Sequence, residues 1–347
     1  MPTIPVGILG ATGMVGQQFV ALLANHPWFR VAWLGASQRS EGKPYREAAA
    51  WRLAAALPDD VAQMVVDNAS PGRAPQLVFS GLDAAVAGEI EAAFARAGHV
   101  VVSNARNYRM EPTVPLLIPE VNPEHLALLS AQTAAHKWSG RIVTNPNCST
   151  IVIAMALAPL RQFGLSATTV TTLQAISGAG YPGVASWDIL GNIIPFIGGE
   201  EEKIESETQK ILGCFMDGRI DRHPVVISAQ TTRVGVHNGH TASMSVRLDQ
   251  RPPLEAIVNA WRSFKGRPQQ LGLPSAPPAP VEYLTEPNRP QPTLDVDRGR
   301  GMTVSIGRLR PCPVLDYKFI ALGHNTIRGA AGAAILNAEL LHVEGLL

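Results

Sequence analysis

Short apolar runs alternate with stretches of helical spacing through the first 147 residues. Ile4–Leu9 is apolar, with β-branched Ile4, Val6 and Ile8, and reads as a buried strand. A glycine-rich turn follows, and 17–24 then carries apolar residues at helical spacing. Phe29–Ala36, Leu77–Ser80, Val100–Ser103 and Arg141–Thr144 read as further strands, with helical patterns such as 89–97 between them. Another helix is expected from Pro123, with Asn122 as its N-cap and proline at the first helical position. Strands alternating with helices predict an α/β fold with a parallel, doubly wound sheet.

The texture changes after Cys148. Residues 149–163 form an apolar helical run. Thr- and Val-rich runs follow at 167–176, 225–234, 241–248, 302–309 and 315–322, which suit an antiparallel or mixed sheet with one exposed face. The proline-rich stretch 273–280 reads as a loop, and the alanine-rich 325–341 as a closing helix. One set of helices cannot cover both faces of the second sheet. An exposed apolar face is therefore expected to pair with another copy of the chain, as a homodimer or homotetramer.

Length and composition narrow the class. The 347 residues suit two domains, and 46% apolar against 16% charged residues exclude a disordered chain. A formal net charge of +1 lacks the basic excess of a nucleic-acid binder. Three widely spaced cysteines, Cys148, Cys214 and Cys312, argue against a disulfide framework and for a reducing compartment. The longest apolar run, 151–160, contains Pro159 and stops at Arg161, too short to span a bilayer. The N-terminal Met-Pro-Thr-Ile-Pro-Val enters a strand without a charged leader region, so a soluble cytoplasmic protein is expected.

The candidate chemistry lies in the turns. Gly10-x-x-Gly13-x-x-Gly16, after a first strand and opening a helix, is a dinucleotide fingerprint of the Rossmann type. It lets backbone approach the phosphates, which sit at a helix N-terminus. Past the second strand, Ser37-Gln38-Arg39-Ser40 offers hydroxyls and a guanidinium where an NAD enzyme carries a carboxylate, which favours NADP. Cys148 sits in Asn145-Pro-Asn147-Cys148, between a strand and a helix, where the helix N-terminus should lower the thiol pKa. His237 and His240 are three apart with no third ligand nearby, so no metal is expected and an acid/base role is the alternative to a structural one. The charge run Glu200-Glu201-Glu202-Lys203 reads, by itself, as a solvated helix face.

Together these pieces resemble the aspartate-semialdehyde dehydrogenase family, in its archaeal and fungal-like branch, over nearly the whole chain. The motifs are 10–16, Asn145-Pro-Asn-Cys-Ser-Thr150, Gln174-Ala-Ile-Ser-Gly-Ala-Gly-Tyr-Pro-Gly183, Gly199-Glu-Glu-Glu-Lys203, and Arg233 with Gly239-His240. The resemblance implies a glyceraldehyde-3-phosphate-dehydrogenase-like pair of domains. An NADP-binding domain spans 1–147 and is completed by 325–347, and a catalytic and dimerisation domain spans 148–324. It implies Cys148 as nucleophile, His240 as its acid/base partner and Gln174 as the residue orienting the acyl group. Arg233 would clamp the substrate carboxylate, and Glu200, or in the neighbouring register Glu201, would face its amino group. Arg109 and Lys203 would bind phosphate. Asn147, with the backbone N–H of Cys148, is a candidate oxyanion donor. The NADP contacts implied are Gly10, Thr12, Gly13, Met14, Val15, Ser37, Arg39, Ser40, Ser177, Gly178 and Asn325.

The reaction implied is NADPH-dependent reductive dephosphorylation of L-aspartyl-4-phosphate to L-aspartate 4-semialdehyde, through a cysteine thioester, within lysine, threonine and methionine biosynthesis. Malonyl-CoA reductase, which shares the Cys/His machinery, is the main rival, though a malonyl group gives Glu200 no amine to meet. A non-catalytic NADP-binding sensor is a remote one.

Overall fold

The computed structural model describes residues 3–347. Six strands build a first, wholly parallel sheet: β1 (Ile4–Leu9), β2 (Phe29–Ala36), β3 (Asp67–Asn68), β4 (Leu77–Ser80), β5 (Val100–Ser103) and β6 (Arg141–Thr144). Their order is β3-β2-β1-β4-β5-β6. The chain turns from one wing of this sheet to the other between β1 and β4, and the crevice outside such a switch point is where dinucleotide-binding sheets hold their ligand. Both faces are covered, so the strands read as continuous apolar runs.

After β6 the helix Cys148–Leu157 is apolar all round, and every residue from Ser149 to Leu157 is buried. It lies against the inner face of the second sheet, formed by β7 (Leu165–Gln174), β10 (Val226–Arg233), β11 (His240–Leu248), β12 (Val281–Leu284), β13 (Val304–Pro311) and β14 (Tyr317–Gly323). A small hairpin, β8 (Cys214–Met216) and β9 (Arg219–Asp221), stands apart. The order β10-β7-β11-β14-β13-β12 is mixed: β7 with β10 and β12 with β13 are parallel, and the other neighbours are antiparallel. Val170, Ala229, Met244, Val246 and Phe319 turn inward. The uncovered face carries Thr169, Thr171, Ser228, Gln230 and Ser243, so it is mainly polar rather than the apolar face expected. Leu173 and Val226 are exposed on it, and a denser apolar exposure lies in segment 181–196, where Tyr181, Trp187, Leu190, Ile193 and Phe196 all project outward.

The closing helix, Gly332–Val343, packs into the first sheet's core, where Ile335, Leu336, Leu340 and Leu341 join Val6, Ile8, Phe19 and Phe79. It is preceded by a π turn, Ile327–Ala331, rather than by the continuous α-helix expected from 325. At its centre, Arg328 and Glu120 form a fully buried, two-bonded ion pair, both contacts 2.7 Å. The run 149–163 is likewise broken. It is α-helical only to Leu157 and 3₁₀ from Ala158, where Pro159 cannot continue the ladder. Asn122 takes the N-cap position expected before Pro123, but its side chain makes no capping bond. Its side chain is spent on Ile118 N–H, Leu116 C=O and His125, and Pro123–Ala127 is a 3₁₀ turn.

Candidate active site

A cleft of about 630 Å³ opens between the two sheets. Gly10, Thr12, Gly13, Met14 and Val15 line one wall, and Ser37 stands at the end of β2. Gly10 has φ +72°, and a Cβ there would meet the carbonyl of Gly81 at 2.8 Å. A Cβ on Gly16 would lie 2.3 Å from the Gly10 carbonyl oxygen, so strand turn and helix can touch only as glycines. Gly13 heads the helix Met14–Leu23 without any side-chain cap, leaving its first N–H groups facing the cleft for an anion. Ser177, Gly178 and Asn325 line the opposite wall. Asn325 accepts from Gly239 N–H and donates to Ser177 Oγ, both at 2.8 Å, and so ties three loops together. Arg39 is exposed outside this lining and Ser40 is buried in the turn behind it.

Cys148 and Asn147 close the cleft floor, with Arg109 beside them. Asn147 caps the Cys148–Leu157 helix: its Oδ1 accepts from Ser149 N–H at 2.9 Å and Thr150 N–H at 3.1 Å. Its Nδ2 donates one N–H to Glu200 at 2.8 Å, which leaves the second N–H of the amide without a bond in the protein. Cys148 Sγ lies 3.2 Å from His240 Nε2. The other ring nitrogen, Nδ1, accepts from Ala175 N–H at 3.1 Å. A neutral imidazole accepting at Nδ1 carries its proton on Nε2, facing the sulfur.

Strand ends deliver the rest. Gln174 ends β7 and Arg233 ends β10, paired side by side in the parallel register, while His240 begins β11. Arg233 Nη1 donates to Ala175 C=O at 2.8 Å. Glu200 is buried at the start of the Glu200–Leu212 helix and receives Asn147 Nδ2, Gln174 Nε2 and Lys203 Nζ. Glu201 turns instead to Thr231 N–H on β10. The charge run is therefore split: Glu200 faces inward, Glu201 and Lys203 are half-buried, and Glu202 stays exposed. Its inward positions continue to Glu207 and Lys210, two buried residues that the sequence reading passed over. The spacing 200, 203, 207, 210 follows one helical face and was the signal available.

Burial reverses the expected thiol shift. Loss of hydration, aided by the Glu200 carboxylate, pushes the Cys148 thiol up to about 12, against the pull of Arg109 and Arg233. Burial, then Arg233 and His324, lowers His240 to about 3. Desolvation opposes the helix N-terminus, and both shifts favour the neutral thiol and the neutral imidazole.

Such a chain, a glycine-rich crevice with a thiol on its floor, falls in the class of two-domain semialdehyde dehydrogenases. The family described as "Semialdehyde dehydrogenase, NAD binding domain" matches residues 5–129, and "Semialdehyde dehydrogenase, dimerisation domain" matches 157–328. The chain is 47% identical to an aspartate-semialdehyde dehydrogenase of Archaeoglobus fulgidus and 48% identical to one of Schizosaccharomyces pombe, each over 99% of both chains. The crystal structure of the Candida albicans aspartate-semialdehyde dehydrogenase with NADP superposes with a TM-score of 0.91, at 44% identity over the whole of both chains. The chain belongs to the aspartate-semialdehyde dehydrogenase family.

Proposed function

We propose that this chain is the NADP-dependent, phosphorylating enzyme that interconverts L-aspartyl-4-phosphate and L-aspartate 4-semialdehyde. The observation that carries the reading is the 3.2 Å contact of Cys148 with His240 on the floor of the cleft. The name shared by archaeal and fungal relatives favours this substrate over malonyl-CoA. A buried carboxylate at Glu200 also suits a substrate amine.

NADPH supplies the hydride that reduces the acyl group. Gly10, Thr12, Gly13, Met14 and Val15 would hold its phosphates, and Ser177, Gly178 and Asn325 its far end. Ser37 and the exposed Arg39 would receive a 2′-phosphate, with Ser40 in the turn behind them, and carboxylates near the end of β2 are engaged: Asp67 with Trp33 and Arg73, Glu41 with Asn68. Arg233 clamps the substrate carboxylate, and Gln174 orients the acyl group beside Glu200. Arg109 and Lys203 receive the phosphoryl group.

Cys148 sulfur bonds to the acyl carbon as the carbon–oxygen bond to phosphate breaks. The departing phosphate is basic enough to leave with the thiol proton, so the step balances as acyl phosphate plus thiol giving thioester plus hydrogen phosphate. His240, donating from Nε2, stabilises the sulfur as it becomes anionic, both before attack and when the reduced adduct releases aldehyde. The backbone N–H of Cys148 and the second N–H of the Asn147 amide are the oxyanion donors.

We divide the chain at 147/148, with 325–347 returning to the first unit, in keeping with the closing helix's place in the first core. The exposed apolar segment 181–196, within the matched dimerisation domain, is the surface offered to a second copy. A monomer by sedimentation at micromolar concentration would rule that out. Among the described residues no helix is long and apolar enough to cross a membrane. A reducing cytoplasm suits an enzyme that depends on a free thiol.

The test is NADP reduction with L-aspartate 4-semialdehyde plus phosphate, beside NADPH oxidation with malonyl-CoA. Turnover of the first pair alone is expected. Turnover of malonyl-CoA alone would overturn the substrate assignment, and NADPH binding without either reaction would mark a sensor.

A further inference from the structure

The Glu200–Leu212 helix carries one more buried acid than the chemistry above employs. Glu207 lies two turns beyond Glu200 on the same face, and its side chain is 2% exposed. Its two oxygens go to different places. Oε1 accepts from Arg109 Nη1 at 3.0 Å, and Oε2 accepts from the backbone N–H of Asn147 at 2.7 Å. One carboxylate thus bridges the cation read as a phosphate ligand and the residue immediately before the nucleophile.

The surroundings leave that bridge little freedom. Arg109 Nη2 donates to Asn104 C=O at 2.7 Å, while Nε is buried without a protein partner. Lys210, one turn beyond Glu207, donates to the carbonyl of the same Arg109 at 2.7 Å, and to those of Glu111 and Val114. The helix therefore grips Arg109 twice, at its guanidinium through Glu207 and at its backbone through Lys210. A guanidinium recognises phosphate by a fixed fork, so its value depends on orientation as well as charge.

We propose that Glu207 is a positioning residue that holds the Arg109 guanidinium at a set distance from the Cys148 turn and thereby sets the affinity for the phosphoryl group. The proposal rests on the reading of Arg109 as a phosphate ligand. It assigns Glu207 no contact with substrate. A glutamine offers only one accepting oxygen, so it must release either Arg109 or Asn147, and it removes the balancing charge. An aspartate keeps the charge but is one carbon too short to reach both.

The experiment measures phosphate KM with aspartate semialdehyde and NADP for Glu207→Gln, Glu207→Asp, Arg109→Ala and the double variant Glu207→Gln/Arg109→Ala. The expected result is a phosphate KM about tenfold higher for E207Q and about threefold higher for E207D, with NADP KM within about twofold of wild type. In the Arg109→Ala background, E207Q should add less than about twofold, because the residue it positions has gone. A phosphate KM unchanged in both Glu207 variants, or effects that multiply in full with Arg109→Ala, overturns the proposal. If E207Q fails to fold, the aspartate variant alone decides, by the same KM split. Should Arg109→Ala itself leave phosphate KM unchanged, the ligand reading of Arg109 fails first, which separates that failure from a failure of Glu207.

Discussion

His240 meets Cys148 as a hydrogen-bond donor. Nε2 is 3.2 Å from the sulfur, and Ala175 N–H occupies Nδ1. Protonating Nδ1 would set two donors against each other, which disfavours imidazolium on top of the burial that already lowers the ring. The pair is thus arranged to steady a sulfur anion formed during reaction rather than to store one beforehand.

Replacing the sulfur should remove the covalent route. Cys148→Ser is expected to lower turnover by about 10³-fold or more, while NADPH binding, followed by its fluorescence, stays within about twofold. Turnover near wild type would exclude the thioester path.

Because burial raises the thiol, alkylation should track hydroxide. The thiolate fraction of a group with a pKa of about 12 rises about tenfold per pH unit through the range 7 to 9. Inactivation of the free enzyme by iodoacetamide should therefore climb without levelling. A plateau already reached at pH 7 would mean a preformed thiolate.

Acid should destabilise the fold through buried neutral imidazoles. His125 is lowered to about 4 and His240 to about 3, chiefly by burial. Below about 6.5 the unfolded chain takes up a proton on each that the folded chain refuses, so stability falls as pH falls, by about 1.4 kcal/mol per unit per group. His125 accepts from Asn122 and donates to Gly213 C=O, contacts that glutamine can imitate. His125→Gln should flatten the slope of melting temperature between pH 6.5 and 5, and an unaltered slope would clear His125 of that role.

Gly178 is a place where one methyl group reaches the chemistry. A Cβ there would lie 2.9 Å from both Arg233 Nη1 and His240 Cε1. Gly178→Ala should cost about 10²-fold in turnover through displacement of those groups, with the melting temperature shifted by only a few degrees. Equal turnover in the variant would show that the loop yields instead.

The sheet strands were legible where apolar runs were short and bounded, as at Leu77–Ser80 and Val100–Ser103. β3 was not, since Asp67–Asn68 is two polar residues joined only to the end of β2. β12 was missed because Val281–Leu284 follows directly on the proline-rich loop. The glycine turn, Cys148 and His240 were readable from local spacing and family motifs. Glu207 was not, because its meaning lies in residues 60 and 98 positions away. The thiol's raised pKa escaped for a related reason: a helix terminus is visible in sequence, but the dryness around it is created by distant segments. Within the π turn, Gly329 approaches Cys148 so closely that a Cβ would come within 2.8 Å of Cys148 Cβ. No periodicity in 325–341 announces that contact.

The burial of Gly332–Val343 beside β1 sets a timetable for biosynthesis. Strand β1 and the helix after it wait, with Val6, Ile8 and Phe19 only partly covered, until residues 332–343 have been made. The nucleotide crevice should therefore mature only after that segment emerges, and nascent chains halted before residue 332 should be targets for chaperones rather than holders of a coenzyme.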